Sequence, residues 1–261
     1  MKKRNLMYVL FILSLGFGLF SCIFDGKNTV TRSSPAVVGN NMSVGGTTVG
    51  TWYGAFAAPG LDPSYEGECV MLDFTIDWNK QPSADFVTAS DIKISSTVPQ
   101  KPLELTDSVR IDDYTLRVSS ARVSQLQTAN GLIQLGTSPY YDGKVFLEIT
   151  CQDSNPDFRL VYNVQEPDSA GIKNLYLLAM PSSSSATNVS KEYNYAFDVA
   201  SLIQYAGIVD TIGTIAGYNG KYIKANLKYF TGMSDDGVPS YGTVNTYSTS
   251  PYFFAVFPDD Y

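Results

Sequence analysis

The sequence predicts an all-β protein built of antiparallel β-sandwiches, and three observations carry that expectation. Aromatic residues make up 13% of the chain, with 18 tyrosines, and Val, Ile and Thr are abundant, a mixture that fits pleated and half-buried strands. Several short segments alternate apolar and polar residues with a period of two. Clusters of Asn, Gly, Pro and Ser separate those segments.

The first element in order is not a strand. Lys2-Lys3-Arg4 precede an apolar run from Leu6 to Phe20, and Leu19-Phe20-Ser21-Cys22 follow. A basic start, about 15 apolar residues and a small residue before a cysteine read as a secretory signal over residues 1–21. The run is shorter than the roughly 20 apolar residues of a spanning helix, so it is a signal and not an anchor. Leu19-Phe20-Ser21-Cys22 resembles the bacterial lipobox, and with it the uncharacterised cell-surface lipoproteins of bacteroidete-type bacteria. The resemblance implies cleavage before Cys22, lipid on its sulfur, and residence in the cell envelope at the outer membrane, facing the periplasm or the surface. Asp25 is the one acid close behind Cys22, and Lys27 offsets it, so the side faced stays open.

Residues 22–46 are rich in Thr, Ser, Asn and Gly and read as a lipidated cysteine followed by a flexible tether. A first sandwich domain is expected over 47–152. Its clearest strand is Val70 to Trp78, where the even positions are apolar and Asp73, Thr75 and Asp77 point the other way. Further strands are expected at Asp91 to Ser96, Tyr114 to Ser119 and Val145 to Ile149. A short helix is expected from Ala121 to Thr128. Gln152 to Asp157 is polar, contains Pro156 and lies between apolar strands, which makes it the expected domain boundary. The second sandwich domain, 153–261, is expected to hold a helix capped by Asp198 and a hairpin turning at Asn219-Gly220. In that hairpin Ile212, Thr214, Ala225 and Leu227 share one face, and Tyr222, Lys224, Asn226 and Lys228 face outward. Tyr252 to Phe257 closes the chain as an aromatic strand. The expected architecture is two immunoglobulin-like sandwich domains in tandem with one or two short helices, and one large β domain is the alternative.

Charge and composition narrow the function. Removing residues 1–21 takes away three basic residues and no acid, leaving 15 basic against 25 acidic residues and a net charge of −10. That balance disfavours nucleic acid, whose affinity comes mainly from neutralised phosphates, and no nucleic-acid partner is expected. The chain has no histidine, which excludes Ser-His-Asp and Cys-His catalysis and His-ligated zinc. No cofactor or metal is expected.

The remaining candidates are modest in number. Cys69 and Cys151 are a candidate disulfide in an exported protein, although Cys69 is out of phase with the apolar face of its strand, and two buried thiols are the competing reading. Trp52, Tyr53, Tyr140, Tyr141, Tyr241, Tyr247 and Tyr252 lie on or near loops and are candidate stacking platforms for sugar rings; packing within the sheets is the alternative for each. Asp112-Asp113, Asp235-Asp236 and Asp259-Asp260 are carboxylate pairs, but neighbours along a strand point to opposite faces and do not form a glycosidase pair by themselves. Asp107-Ser108-Val109, Asp168-Ser169-Ala170 and Asp210-Thr211-Ile212 resemble O-glycan acceptors of exported bacteroidete proteins, which would place sugar on Ser108, Ser169 and Thr211.

The expected function is a non-enzymatic binding or accessory module, held on the membrane by lipid at Cys22, with a glycan or another cell-surface protein as partner. Arg32 and the aromatic C-terminal strand resemble features of fimbrillin-type pilins, which implies a pilus or surface-assembly subunit as the alternative. A carboxylate-based glycosidase is a third reading.

Overall fold

The computed structural model describes residues 28–41, 46–51, 54–82, 86–112, 115–123, 144–152, 155–167, 172–181, 190–199, 201–202, 211–215, 218–244 and 252–256; for 211–224 and 252–256 it describes the strand pairing alone. The period-two segment around Phe74 forms β4 (Cys69–Asp77), with Val70, Leu72, Phe74 and Ile76 buried on one face. It pairs with β1 (Thr29–Asn41) and β5 (Asp91–Thr97), and β1 continues to β2 (Gly46–Thr51) and β3 (Gly54–Ala57). The sheet order is β3-β2-β1-β4-β5, antiparallel throughout. The approach to β5 closes this sheet into a barrel. Thr88 bridges to Ala57, with the Ala57 amide donating to the Val87 carbonyl at 2.9 Å and the Ala89 amide to the Ala57 carbonyl at 3.0 Å. Val38, Val49, Phe56, Leu72, Phe74 and Ile76 fill it, the two Phe rings lying 4.7 Å apart.

β1 corrects the expected tether, since Thr29–Asn41 lies between β2 and β4 at the centre of the sheet. Its Ser and Thr residues are a strand's solvent face. The Thr31 and Thr75 hydroxyls are 2.9 Å apart, and Ser33 donates to Asp73, while Ala36 and Val38 on the opposite face are buried. Composition alone does not separate a polar strand face from a linker.

The second sheet starts where β5 passes through Val98 and Pro99 into β6 (Gln100–Thr106). It contains β7 (Val118–Val123), β8 (Lys144–Cys151), β9 (Pro156–Asn163), β10 (Ile172–Pro181), β11 (Lys191–Asp198), β12 (Thr211–Ile215) and β13 (Tyr218–Met233) in the order β12-β13-β10-β9-β6-β11-β8-β7. β14 (Pro239–Thr243) and β15 (Tyr252–Val256) both pair with β13. The sheet is mixed, for β6 runs parallel to both β9 and β11, and β10 parallel to β13. It also curls towards closure: the Leu116 amide donates to the Ala179 carbonyl at 2.8 Å, which brings the start of β7 to β10. Phe158, Leu147, Ile149, Leu160, Leu175, Leu177 and Phe197 are fully buried, and they share its core.

The all-β expectation therefore holds, while the two tandem immunoglobulin-like sandwiches give way to a five-strand antiparallel barrel and a larger mixed barrel-like sheet. The expected boundary at 152–157 falls between β8 and β9, which are strands of the same sheet. Parallel pairs join strands far apart in sequence, and no local turn signal announces them. Ala121 to Val123, expected as the start of a helix, are in β7, and 124–143 lie outside the described residues. In the expected hairpin Asn219 and Gly220 are not the turn: they sit within β13 opposite Thr214 and Gly213. Of the helix capped by Asp198, Val199 and Leu202 are described and buried, and the Leu202 amide donates to the Val199 carbonyl at 3.0 Å.

The two barrels meet on a buried seam. Val37, Cys69, Val98, Phe146 and Ala196 pack together there, and the Val98 amide donates to the Cys69 carbonyl at 2.7 Å. Cys69 faces this seam instead of the first barrel's interior, as its strand phase required. Cys151 belongs to the second core, its thiol 3.5 Å from the Arg117 carbonyl. Both cysteines are buried thiols and the candidate disulfide is not formed.

Two substitutions test this packing. The Thr88 hydroxyl is buried with no hydrogen-bond partner, at the strand bridge that closes the first barrel. Thr88→Val keeps the shape and removes the unsatisfied group, so it should raise unfolding free energy by about 1 kcal/mol in urea titrations. Gly242 lies under the ring of Tyr229, where an added Cβ would overlap Cζ. Gly242→Ala should displace that ring and cost about 1–3 kcal/mol, read as a lower thermal midpoint.

Candidate functional site

Alternation along β10 sends Leu175, Leu177 and Ala179 into the second core and leaves Asn174, Tyr176 and Leu178 on the outer face. β13 does the same, burying Ala225 and Leu227 inside and turning Asn226, Lys228 and Phe230 outward. The parallel register sets Asn174 beside Asn226 and Tyr176 beside Lys228, and the antiparallel register sets Tyr241 of β14 beside Phe230. After β9 the chain turns at Asn163, whose side chain accepts the Gln165 amide at 2.9 Å, and this turn delivers Glu166 to the same face.

These residues form one connected cluster. The Tyr176 hydroxyl lies 2.9 and 2.8 Å from the two Glu166 carboxylate oxygens, to which it is the donor. The Asn174 amide donates to Glu166 at 2.6 Å, and the Asn226 amide donates to the Asn174 side-chain oxygen at 3.3 Å. Tyr241 meets Tyr176 edge-on at 5.0 Å and Phe230 at 6.2 Å. The Lys228 ammonium sits 5.3 Å from the centre of the Tyr176 ring, within cation–π range. Val109 and Ile111 pack on the apolar side.

Burial raises the Tyr176 phenol well above its ordinary pKa, and the Glu166 hydrogen bond and charge push it further the same way. Tyr241 is raised too, first by burial and then by the Glu166 charge. Both phenols therefore stay protonated at physiological pH and act as hydrogen-bonding groups, not as bases or nucleophiles. Tyr176 and Phe230 are buried within the cluster, while Glu166, Asn174, Asn226, Lys228 and Tyr241 keep partial exposure, and these are the carboxylate, amides, cation and aromatic ring that could meet a polar ligand. Removing the carboxylate strands the Tyr176 hydroxyl. Glu166→Leu should cost about 1–3 kcal/mol in denaturation, with Tyr176→Phe in the same background recovering most of the loss.

Of the candidate residues, Tyr241 is in this cluster. Tyr252 pairs with Ala225 across β15 and β13, and Thr211 with Tyr222 across β12 and β13. Ser108 is exposed, its carbonyl accepting the Thr106 hydroxyl at 3.0 Å. Cys22, Trp52, Tyr53, Tyr140, Tyr141, Tyr247 and Ser169 lie outside the described residues, as do Asp113, Asp259 and Asp260. Asp235 and Asp236 are exposed in the β13–β14 connection. Among the described residues no group of three or more Cys, Asp and Glu side chains could hold a metal ion. Sequence reasoning missed Glu166, Asn174 and Tyr176. The outward phase of Asn226 and Lys228 was legible, but their partners come from β10, whose parallel register with β13 has no local signature.

Residues 26–89 match the lipoprotein OB domain family. The match covers the strands of the first barrel up to the bridge at Thr88, and it supports lipid anchoring in the cell envelope. An uncharacterised protein from Parabacteroides merdae is similar in fold at a TM-score of 0.54 and 16% identity, over 82% of this chain and 96% of that one. A candidate lipoprotein from Bacteroides fragilis aligns at a TM-score of 0.46 and 12% identity, over 85% of this chain and 99% of its own. A NigD-like immunity protein from Bacteroides caccae aligns at 0.44 and 11% identity, over 86% and 97%. No curated protein matches. The lipoprotein match is thus confined to the first barrel, and the likeness to the Parabacteroides merdae protein is one of fold.

Proposed function

We propose that this chain, with its lipoprotein OB domain match directly behind Cys22, is a non-enzymatic binding protein of the cell envelope that holds a glycan on its second barrel. The observation that carries the reading is the partly exposed set of Tyr241, Asn174, Asn226 and Lys228 on three adjoining strands, packed with the buried Tyr176 and joined by Glu166 from the turn after β9. A sugar offers an apolar ring face to an aromatic side chain and hydroxyls to carboxylate and amide groups, and this face supplies both. The first barrel, behind the lipidated cysteine, is the mount.

The assembly alternative would act through two strands. Arg32, where pilin-type processing would cut, pairs with Phe74 inside β1, so cleavage there would remove part of the first barrel's central strand. The aromatic strand β15 pairs with β13 of its own chain.

A glycan array probed with the mature protein tests the reading. Binding is expected, and Tyr241→Ala and Lys228→Ala should each weaken it by about tenfold, the equivalent of one lost ring or charge contact of about 1.4 kcal/mol. An array without signal, together with no saccharide recovered by crosslinking on cells, would sink it.

A further inference from the structure

We infer that the lower end of the first barrel, around Trp78, Asn79 and Lys80, rests on the headgroup region of the bilayer. Three observations converge on that end. β1 enters there: the Trp78 amide donates to the Asn28 carbonyl at 2.7 Å, and the Asn28 amide side chain donates to Asn79 at 2.6 Å. Cys22 and Asn28 are separated by six Cα steps, which reach at most about 22 Å in any conformation. The end itself is built and not a loose turn. Asp77 accepts the Asn79 amide at 3.0 Å, its carboxylate is 3.2 Å from the Lys80 ammonium, and the Gln81 side chain is hydrogen-bonded to Asp77 and to both backbone groups of Thr88.

Its chemistry suits a headgroup layer. Trp78 is half-buried against the first core, and an indole with one side on protein and one side free partitions to the membrane–water boundary. Lys80 keeps 78% of its side chain exposed and can reach a lipid phosphate. The mature chain as a whole is acidic, so attraction to anionic lipid does not bring this end down; the short connection to Cys22 does. The opposite end of the first barrel carries Cys69 and the seam with the second barrel. Along β1 from Thr29 to Val37 that seam is at most about 26 Å from the membrane-facing end.

The inference rests on lipidation of Cys22, and the test separates the two. Acylated protein is bound to phosphatidylcholine vesicles carrying brominated acyl chains, in a Trp52→Phe background that leaves Trp78 as the one tryptophan. Co-flotation and a mass spectrum report the anchor, and Trp78 emission reports the contact. Quenched and blue-shifted emission from floated protein is the expected result. Floated, acylated protein with unquenched Trp78 overturns the inference while leaving the anchor intact. Protein without acyl on Cys22 removes the anchor and the inference together. Should Trp52→Phe fail to fold, hydrogen exchange on the unaltered acylated protein decides instead, with slower exchange over 78–82 on vesicles expected and unchanged exchange overturning.

Discussion

Phe158→Ala should bring the second barrel close to unfolding under conditions where the parent is stable. Phe158 is fully buried, and its ring meets Tyr193 at 5.4 Å and Tyr195 at 5.2 Å, both edge-on. It packs in one core with residues of β6, β8, β10 and β11, so its removal opens a cavity that no single strand can collapse to fill. Large-to-small changes of this kind cost about 3–5 kcal/mol, against a whole stability of about 5–15 kcal/mol. Urea titration followed by tyrosine emission reads the change. Phe158→Leu, which retains most of the volume, should lose far less. Equal losses for the two variants would mean that the barrel repacks around this position, and the cavity account would be wrong.

Cys22→Ser should move the protein from the membrane fraction to the soluble fraction almost completely. Each buried methylene contributes about 0.8 kcal/mol, so several acyl chains on Cys22 would hold the protein essentially permanently, and losing all of them would remove that attraction. The acidic mature chain offers no basic patch large enough to compensate. Membrane fractionation with a clickable fatty acid reads both halves of the expectation. Retention of the unlabelled variant on membranes would show that protein contacts, and not lipid, hold it there. The variant should keep its urea midpoint, because residue 22 precedes the first strand at Thr29.

The described strands differ in how well the sequence announced them. β4, β5 and β8 were legible because a sheet that buries one face imposes alternation on each strand separately, whatever its neighbours. β15 was legible as an aromatic run. β1 was not, because its solvent face is Ser and Thr and its buried half begins only at Ser34. β10 shows how far the signal reaches: its apolar core positions alternate with Asn174 and Tyr176, yet nothing in the strand points to Glu166 or to Lys228. In the candidate site, Tyr241 was named among seven aromatics, and the residues that give it chemical meaning arrived with the fold.

What the sequence determined by itself were the features carried by short stretches of chain: a basic start, an apolar run and a lipobox-like cysteine, an acidic and histidine-free composition, and strands whose period of two marks a buried face. The phase of Cys69 belongs to this class, since the alternation within its own strand is enough to set that thiol off the apolar face. Which strands lie side by side was decided by tertiary structure alone. β6 pairs in parallel with β9 and β11, and β10 with β13, because the mixed sheet buries one shared core when it curls, an energy belonging to the whole sheet and to no segment of it. The same collective burial brought Tyr241, Lys228 and Glu166 together on the outer face of the second barrel.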